Sequence, residues 1–515
     1  MILNNDLDPF AIRSFGSRPS FAAYWSDTRF IELYPSSDYF QSLIGRRIKS
    51  DDEDVLHLAE SVLHHERIHW QVSHSLTWGM VRCMVNGLGT TLASHFMRYQ
   101  SPAELRERLI GRQNGVPLVP RNRKLDVVID SKWEPTLHTV AEHAWLCRIL
   151  PFLIDTNDKR LSGLRPPEYM IGILAQYLSN HCQVTETLEE SDQHFQERVK
   201  SFKLPEDDFS NTISGLSDVT AMAVEECLAV IGQINYLNSL VPNSDRSSAH
   251  LRRFQEDLLS GVFASGTTTY SGCFHYAMSV FNCEFDELDL DLIGLICEIA
   301  LDPPLDFLTD GTTLKWDWSS FHPAARFTRL IRSWRQNDRK SNSVSEMDRW
   351  QLCSLEQQLL EQSGLERAQH NLIKQWLAKF DPDNTAWPSE ELVYEQVETA
   401  KSGRIALNDY PGLLFDRSRL STNYVSASFY DLPYVLIDGA SYSFDEDNET
   451  QMRAIGQHAL NGFLSRATDH LAFRTGKMSL QGLPTNEEDA FAAFSARSEE
   501  FFHTTLHIGE VQLGL

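Results

Sequence analysis

Apolar positions along this 515-residue chain recur mostly at helical spacing, in long blocks divided by short polar breaks. Only two regions lean towards strands. The first holds Phe21 to Trp25 and Thr28 to Tyr34, two short β-prone runs with a Ser-Asp turn between them. The acids from Asp51 to Asp54 then mark a helix start, and Val55, Leu58, Ala59, Val62 and Leu63 continue it as one face, ending by Gly79. A second apolar helix runs to about Met97. Residues 110–133, rich in Gly, Pro, Asn and Arg, predict a long loop. Helices are expected over 135–155, 166–182, 184–200, 217–240, 248–261 and 286–300, with a Gly/Ser/Thr/aromatic stretch from Ser265 to Tyr276 between the last two. The segment Trp316 to Phe321 leads into His322-Pro323-Ala324-Ala325-Arg326 and a helix to about Trp334. After a polar break from Asn337 to Ser345 come helices over 346–380 and 388–401, a β-leaning stretch from Arg404 to Ser443, and helices over 448–472 and 486–506.

The pattern predicts a mainly α protein with a minor β component. Its length calls for more than one core, and the polar break divides it into residues 1–335 and a C-terminal α+β region, 346–515. With 42% hydrophobic and 23% charged residues the chain is globular in composition. Its net charge of −25 repels nucleic-acid backbones and anionic membrane surfaces alike. The N-terminus has no basic segment followed by an apolar run. The most apolar stretch, Gly79 to Phe96, is interrupted by Arg82, Asn86 and His95. Eight scattered cysteines contain no CxxC pair, which suits reduced thiols. The expectation is a soluble cytoplasmic protein that binds neither nucleic acid nor membrane.

The chemistry is carried by His65-Glu66-Arg67-Ile68-His69. Residues four apart share a helix face, so His65 and His69 can direct their imidazoles at one ion. Glu66 lies beside them, placed to deprotonate a water activated by that ion rather than to bind it. The motif sits mid-helix between apolar turns, where a buried site needs it. Arg67 puts a charge inside the motif and must face solvent or an acid. His64 and His74 are expected to lie outside the ligand set.

A further ligand has to come from elsewhere, because positions 72 and 75 are Val and Ser. Acids are costly inside an apolar helix, yet Ala221 to Ile231 contains Glu225 and Glu226 in succession. One can face solvent and the other must face inward; Glu226 is the expected ligand. Glu142, on the similarly apolar segment Val140 to Trp145, is the rival.

Glu226-Cys227-Leu228-Ala229 resembles the Glu-Gly-x-Ala segment of gluzincin metallopeptidases, HExxH enzymes whose third ligand is a helical glutamate. Glu225 falls where several of those enzymes carry Asn, and His322-Pro-Ala-Ala-Arg326 resembles their His-Pro…Arg segment. The resemblance implies a zincin-like catalytic domain over 1–335 that holds one zinc ion on His65, His69 and Glu226. Glu66 would be the general base, His322 would steady the oxyanion or orient substrate, and Arg326 would pair with a helix carboxylate. The substrate would be a protein or peptide. Residues 346–515 would regulate access or choose substrate, with a regulatory protein as a possible partner.

Two other readings use the same residues. A di-iron carboxylate oxidase in a helical bundle would pair Glu66/His69 with Glu500/His503. A catalytically inactive interaction scaffold would keep the metal and lose the chemistry.

Overall fold

The computed structural model describes residues 22–25, 30–33, 52–83, 85–86, 112–113, 116–117, 155, 216, 219–240, 268–304, 318–335, 344–368, 411–412, 414–415, 435–437 and 440–442. These are mainly helical. The helices are α1 (Asp52–Ser75), α2 (Ala221–Leu240), α3 (Thr268–Phe281), α4 (Leu290–Ala300), the short α5 (Trp318–Phe321), α6 (Pro323–Arg335) and α7 (Arg349–Ser363). The strands are β1 (Ala22–Trp25), β2 (Phe30–Leu33), β5 (Val435–Ile437) and β6 (Ala440–Tyr442), with a two-stranded β3/β4 pair at Arg112–Gln113 and Val116–Pro117.

Helix α2 is the centre of the core. Ala223, Val224, Cys227, Leu228, Ala229, Val230, Ile231, Ile234 and Leu237 are all buried, so the helix is apolar on every side and is covered on every side. Its first turn is capped by the Thr220 hydroxyl, which accepts from the Ala223 amide at 2.9 Å. α1, α3 and α4 pack around it. α1 meets α2 at Gly232, where a side chain would drive into Ile68. That crossing sets the two helices bearing the predicted ligands against each other.

At Leu76 helix α1 bends sharply before helical structure resumes over 77–83. The bend is tight enough that only a glycine fits at position 79, because a Cβ there would strike the Val72 backbone. The Thr77 amide and hydroxyl both donate to Asp302 Oδ1, at 3.2 and 2.7 Å, which anchors the turn. Residues 78 and 82 are thereby folded back towards α1.

The sheet order is β1-β2-β5-β6. β1 and β2, the two β-prone runs of the sequence, pair antiparallel, with Tyr24 opposite Ile31. β5 then joins β2 in parallel and β6 returns antiparallel. α1 packs against β1 and β2. The stretch Ser265 to Tyr276, a Gly/Ser/Thr/aromatic gap in the sequence pattern, forms most of α3; Cys273, Phe274 and Ala277 supply its buried face. Within 110–133, expected as loop, Arg112–Gln113 and Val116–Pro117 form the β3/β4 pair.

Contacts among the described residues cross the expected boundary between 335 and 346. β5 bonds to β2, α7 packs on α6, and Val344 is buried with its amide donating to Asp289 Oδ2 at 3.1 Å. Phe415 is fully buried against Gly294, and the Asn235 side chain donates to its carbonyl at 3.1 Å. The helices expected over 166–182, 184–200, 248–261, 388–401, 448–472 and 486–506 lie outside the described residues, as does the one over 135–155 apart from Asp155.

Candidate metal centre

His65 and His69 lie one turn apart on α1, and Glu226 faces them from the first half of α2. His65 Nε2 is 3.3 Å from Glu226 Oε2 and 3.3 Å from His69 Nε2, and His69 Nε2 is 3.4 Å from Glu226 Oε2. The three donor atoms thus form a nearly equilateral triangle, and they are the one His/Cys/Asp/Glu group of this kind among the described residues. Tetrahedral zinc with ligands at about 2.0–2.1 Å has ligand–ligand edges about 1.63 times as long, or about 3.3–3.4 Å. The side chains of His65 and Glu226 are only 12% and 16% exposed, so the triangle is largely shielded from water.

Donor chemistry fits a cation as well as the spacing does. His69 Nδ1 faces Glu225 Oε1 at 3.0 Å, so the ring proton resides there and Nε2 presents its lone pair to the triangle. Two imidazole nitrogens and a carboxylate oxygen converging on one point repel unless something positive lies between them. A proton can serve. Burial works against charging His69, but Glu226 and Glu225 hold its pKa well above the usual imidazole range. Burial likewise opposes ionisation of Glu226, and His69 and His65 more than reverse that, taking its pKa far below the carboxylate range. Protons and a metal compete for such donors.

Glu66 is buried beside the two histidines and accepts a hydrogen bond from the Tyr24 backbone amide on β1. Burial raises its pKa above the ordinary value, with His65 and His69 pulling the other way. Arg67 is partly exposed on the far side of the turn. His64 stacks on Tyr236 with ring centroids 5.3 Å apart, and His74 Nδ1 donates to the Trp70 carbonyl at 2.7 Å; neither joins the triangle.

Glu225 departs from expectation. Only one acid of the pair was expected to face inward, yet the Glu225 side chain is 5% exposed. Arg82 makes this possible. Its guanidinium forks onto Glu225, Nη1 to Oε2 at 2.7 Å and Nη2 to Oε1 at 3.0 Å. Nη1 also reaches Asp155 Oδ2 at 3.2 Å, and Asp155 Oδ1 accepts from Trp78 Nε1 at 2.9 Å. Burial pushes both acids up. Arg82 and His69 bring Glu225 down to about 2, whereas Asp155, with a weaker hold on Arg82, stays raised at about 6. The sequence marked Arg82 only as a charge interrupting an apolar run. That interruption was the available signal.

No family model, curated protein or solved structure matches this chain. The reading of the site therefore stands on its own geometry.

His322 is fully buried, with its ring 5.9 Å from that of Trp78. Arg326, also fully buried, donates to backbone carbonyls rather than to a carboxylate: Ala300 at 3.1 Å, Ile299 at 2.9 Å, Ser320 at 2.8 Å and Glu366 at 2.9 Å. It satisfies the orphan carbonyls at the end of α4. A residue absent from the sequence reading also lies within the field of these carboxylates. Tyr270, in the first turn of α3, feels Glu226 and Glu66 together, and with burial their charges hold its phenol well above the usual range, so it stays a hydrogen-bond donor. Glu142, Glu500 and His503 lie outside the described residues. No described helix is long and apolar enough to cross a membrane.

Proposed function

We propose that this chain is a zinc-dependent hydrolase, a metallopeptidase of the HExxH type whose third ligand is a helical glutamate. The observation that carries the reading is the triangle of His65 Nε2, His69 Nε2 and Glu226 Oε2, with edges matching tetrahedral zinc. A zinc ion held there would polarise a carbonyl and acidify a water. The chain's own groups supply the rest. Glu66, raised in pKa and next to the ligands, takes a proton from the attacking water and delivers it to the leaving amine. The Tyr270 phenol, kept protonated by Glu226, burial and Glu66, is a hydrogen-bond donor within the field of the site.

A peptide substrate is favoured by the position of β1. Among the described residues β1 is an edge of the sheet, it packs on α1, and its Tyr24 amide already touches Glu66. An extended peptide added along such an edge would pass directly by the base.

Measured on the full chain, Glu66→Gln retains one zinc per protein and loses hydrolysis of a peptide library, because the base goes and the ligands stay. His65→Ala loses the zinc itself. A Glu66→Gln protein that is empty of zinc would make Glu66 a ligand and sink the mechanism.

A further inference from the structure

Two adjacent glutamates reach one imidazole: Glu225 meets His69 Nδ1 at 3.0 Å and Glu226 meets His69 Nε2 at 3.4 Å. Both are carboxylates on the same turn of α2, and nothing in their chemistry ranks one as ligand and the other as support. The difference between them lies outside the pair. Both oxygens of Glu225 are taken by the fork of Arg82, at 2.7 and 3.0 Å, whereas Glu226 directs Oε2 to the two histidines.

Resting on the metal-centre reading above, we propose that Arg82 is a positioning residue that assigns the roles of the two glutamates. By holding Glu225 in a bidentate clasp it reserves that carboxylate as the acceptor for His69 Nδ1–H and leaves Glu226 alone to bind the metal. The clasp is itself rigid. Arg82 Nη1 is shared with Asp155, Nη2 with Ser73 Oγ at 3.3 Å, and Asp155 is pinned by Trp78. A guanidinium so held keeps the Glu225 carboxylate in one plane; an ammonium group, with a point charge and rotating donors, cannot hold both oxygens this way. Released from the clasp, Glu225 can turn towards the triangle and compete with Glu226, while His69 loses the acceptor that fixes its ring and tautomer.

The test is a substitution cycle on the full-length protein, read by zinc affinity in chelator competition and by the visible spectrum of the cobalt-substituted form. Arg82→Lys and Arg82→Met are each expected to lower zinc affinity about 10–100-fold, the usual cost of losing a group that orients a ligand. In the Arg82→Lys background, Glu226→Ala should cost at least about 10-fold less than it does in the wild type, since Glu225 can then stand in. The cobalt bands should weaken in Arg82→Lys as a second carboxylate enters and coordination number rises. Equal fold-losses for Glu226→Ala in both backgrounds, with unchanged cobalt bands, would overturn the assignment and leave Arg82 a structural ion pair. If neither Arg82 variant folds, Glu225→Gln answers instead. It should lose about 10–100-fold in zinc affinity with the cobalt spectrum intact, and unchanged affinity would refute the proposal. A wild-type chain that binds no zinc or cobalt defeats the metal-centre reading itself, a result distinct from additivity in a chain that does bind.

Discussion

Burial encloses His322, while the fold sets Tyr270 within the field of two carboxylates. His322 belongs to a His-Pro pair that reads equally well as a helix entry, and it ends fully enclosed behind Trp78. Tyr270 belongs to no recognisable motif, but α3 carries it to Glu66 and Glu226. Tyr270→Phe is accordingly expected to reduce kcat about 100-fold with zinc content unchanged, the scale of losing one oxyanion donor. Steady-state kinetics beside metal analysis decides; an unchanged kcat would remove the phenol from the reaction. The two histidines of the triangle were legible, because His65 and His69 obey a local rule, the four-residue helical repeat. Glu225 was not, because whether a buried acid is tolerable depends on its counter-ion, and Arg82 lies 143 residues away.

At the level of elements, the centre exists because α1 and α2 cross closely enough for side chains of modest length to meet. Gly232 permits that crossing, its missing Cβ leaving room for Ile68. Gly232→Ala should displace the buried Ile68 side chain between His65 and His69, costing about 1–3 kcal/mol by overpacking and weakening zinc binding together with stability. Urea denaturation with and without zinc would show it; a variant as stable as wild type and equally avid for zinc would mean the crossing is more plastic than its packing suggests. Helical spacing placed most of α1, α2, α4 and α6 correctly. It left α3 as a gap because Thr, Ser, Gly and aromatic residues are poor helix formers in isolation, and tertiary burial of Cys273, Phe274 and Ala277 overrides that.

Across the whole molecule, the segments after residue 346 are tied to the earlier helices by buried charge. Arg367 reaches Asp302 at 2.6 Å and Glu298 at 3.4 Å and also bonds Glu356, while the Gly412 amide donates to both oxygens of Glu298 at 3.2 Å. Burial, the largest influence, leaves Glu298 raised to about 7 despite Arg367. For an acid whose folded pKa exceeds its unfolded value of 4.5, the folded state binds the extra proton, so stability declines as pH rises from about 4.5 to 7. A shift of this size is worth on the order of 3 kcal/mol. Glu298→Gln, which retains an acceptor for Gly412, should therefore flatten this part of the stability–pH curve relative to wild type; a difference between the two proteins that is constant from pH 4.5 to 7.5 would exclude Glu298 as the source. A fragment ending at residue 335 would lose β5 from β2, Phe415 from Gly294 and Arg367 from its acids, and is expected to aggregate. Recovery of a soluble, zinc-loaded 1–335 fragment would show instead that the N-terminal part holds its own core.

The kind of helix, the face on which His65, Glu66 and His69 lie, and the candidacy of Glu226 were all written in the chain, because each depends on neighbours a few residues apart. Strands at β1 and β2 were equally readable, from two short β-prone runs on either side of a Ser-Asp turn. The clasp of Arg82 on Glu225, the arrival of Tyr270, the enclosure of His322 and the addition of β5 to β2 were not. Each joins residues far apart in the chain, and periodicity carries no information about which distant partner a buried charge or an unpaired strand edge will meet. Folding settles that choice by the cost of leaving such groups unmatched away from water.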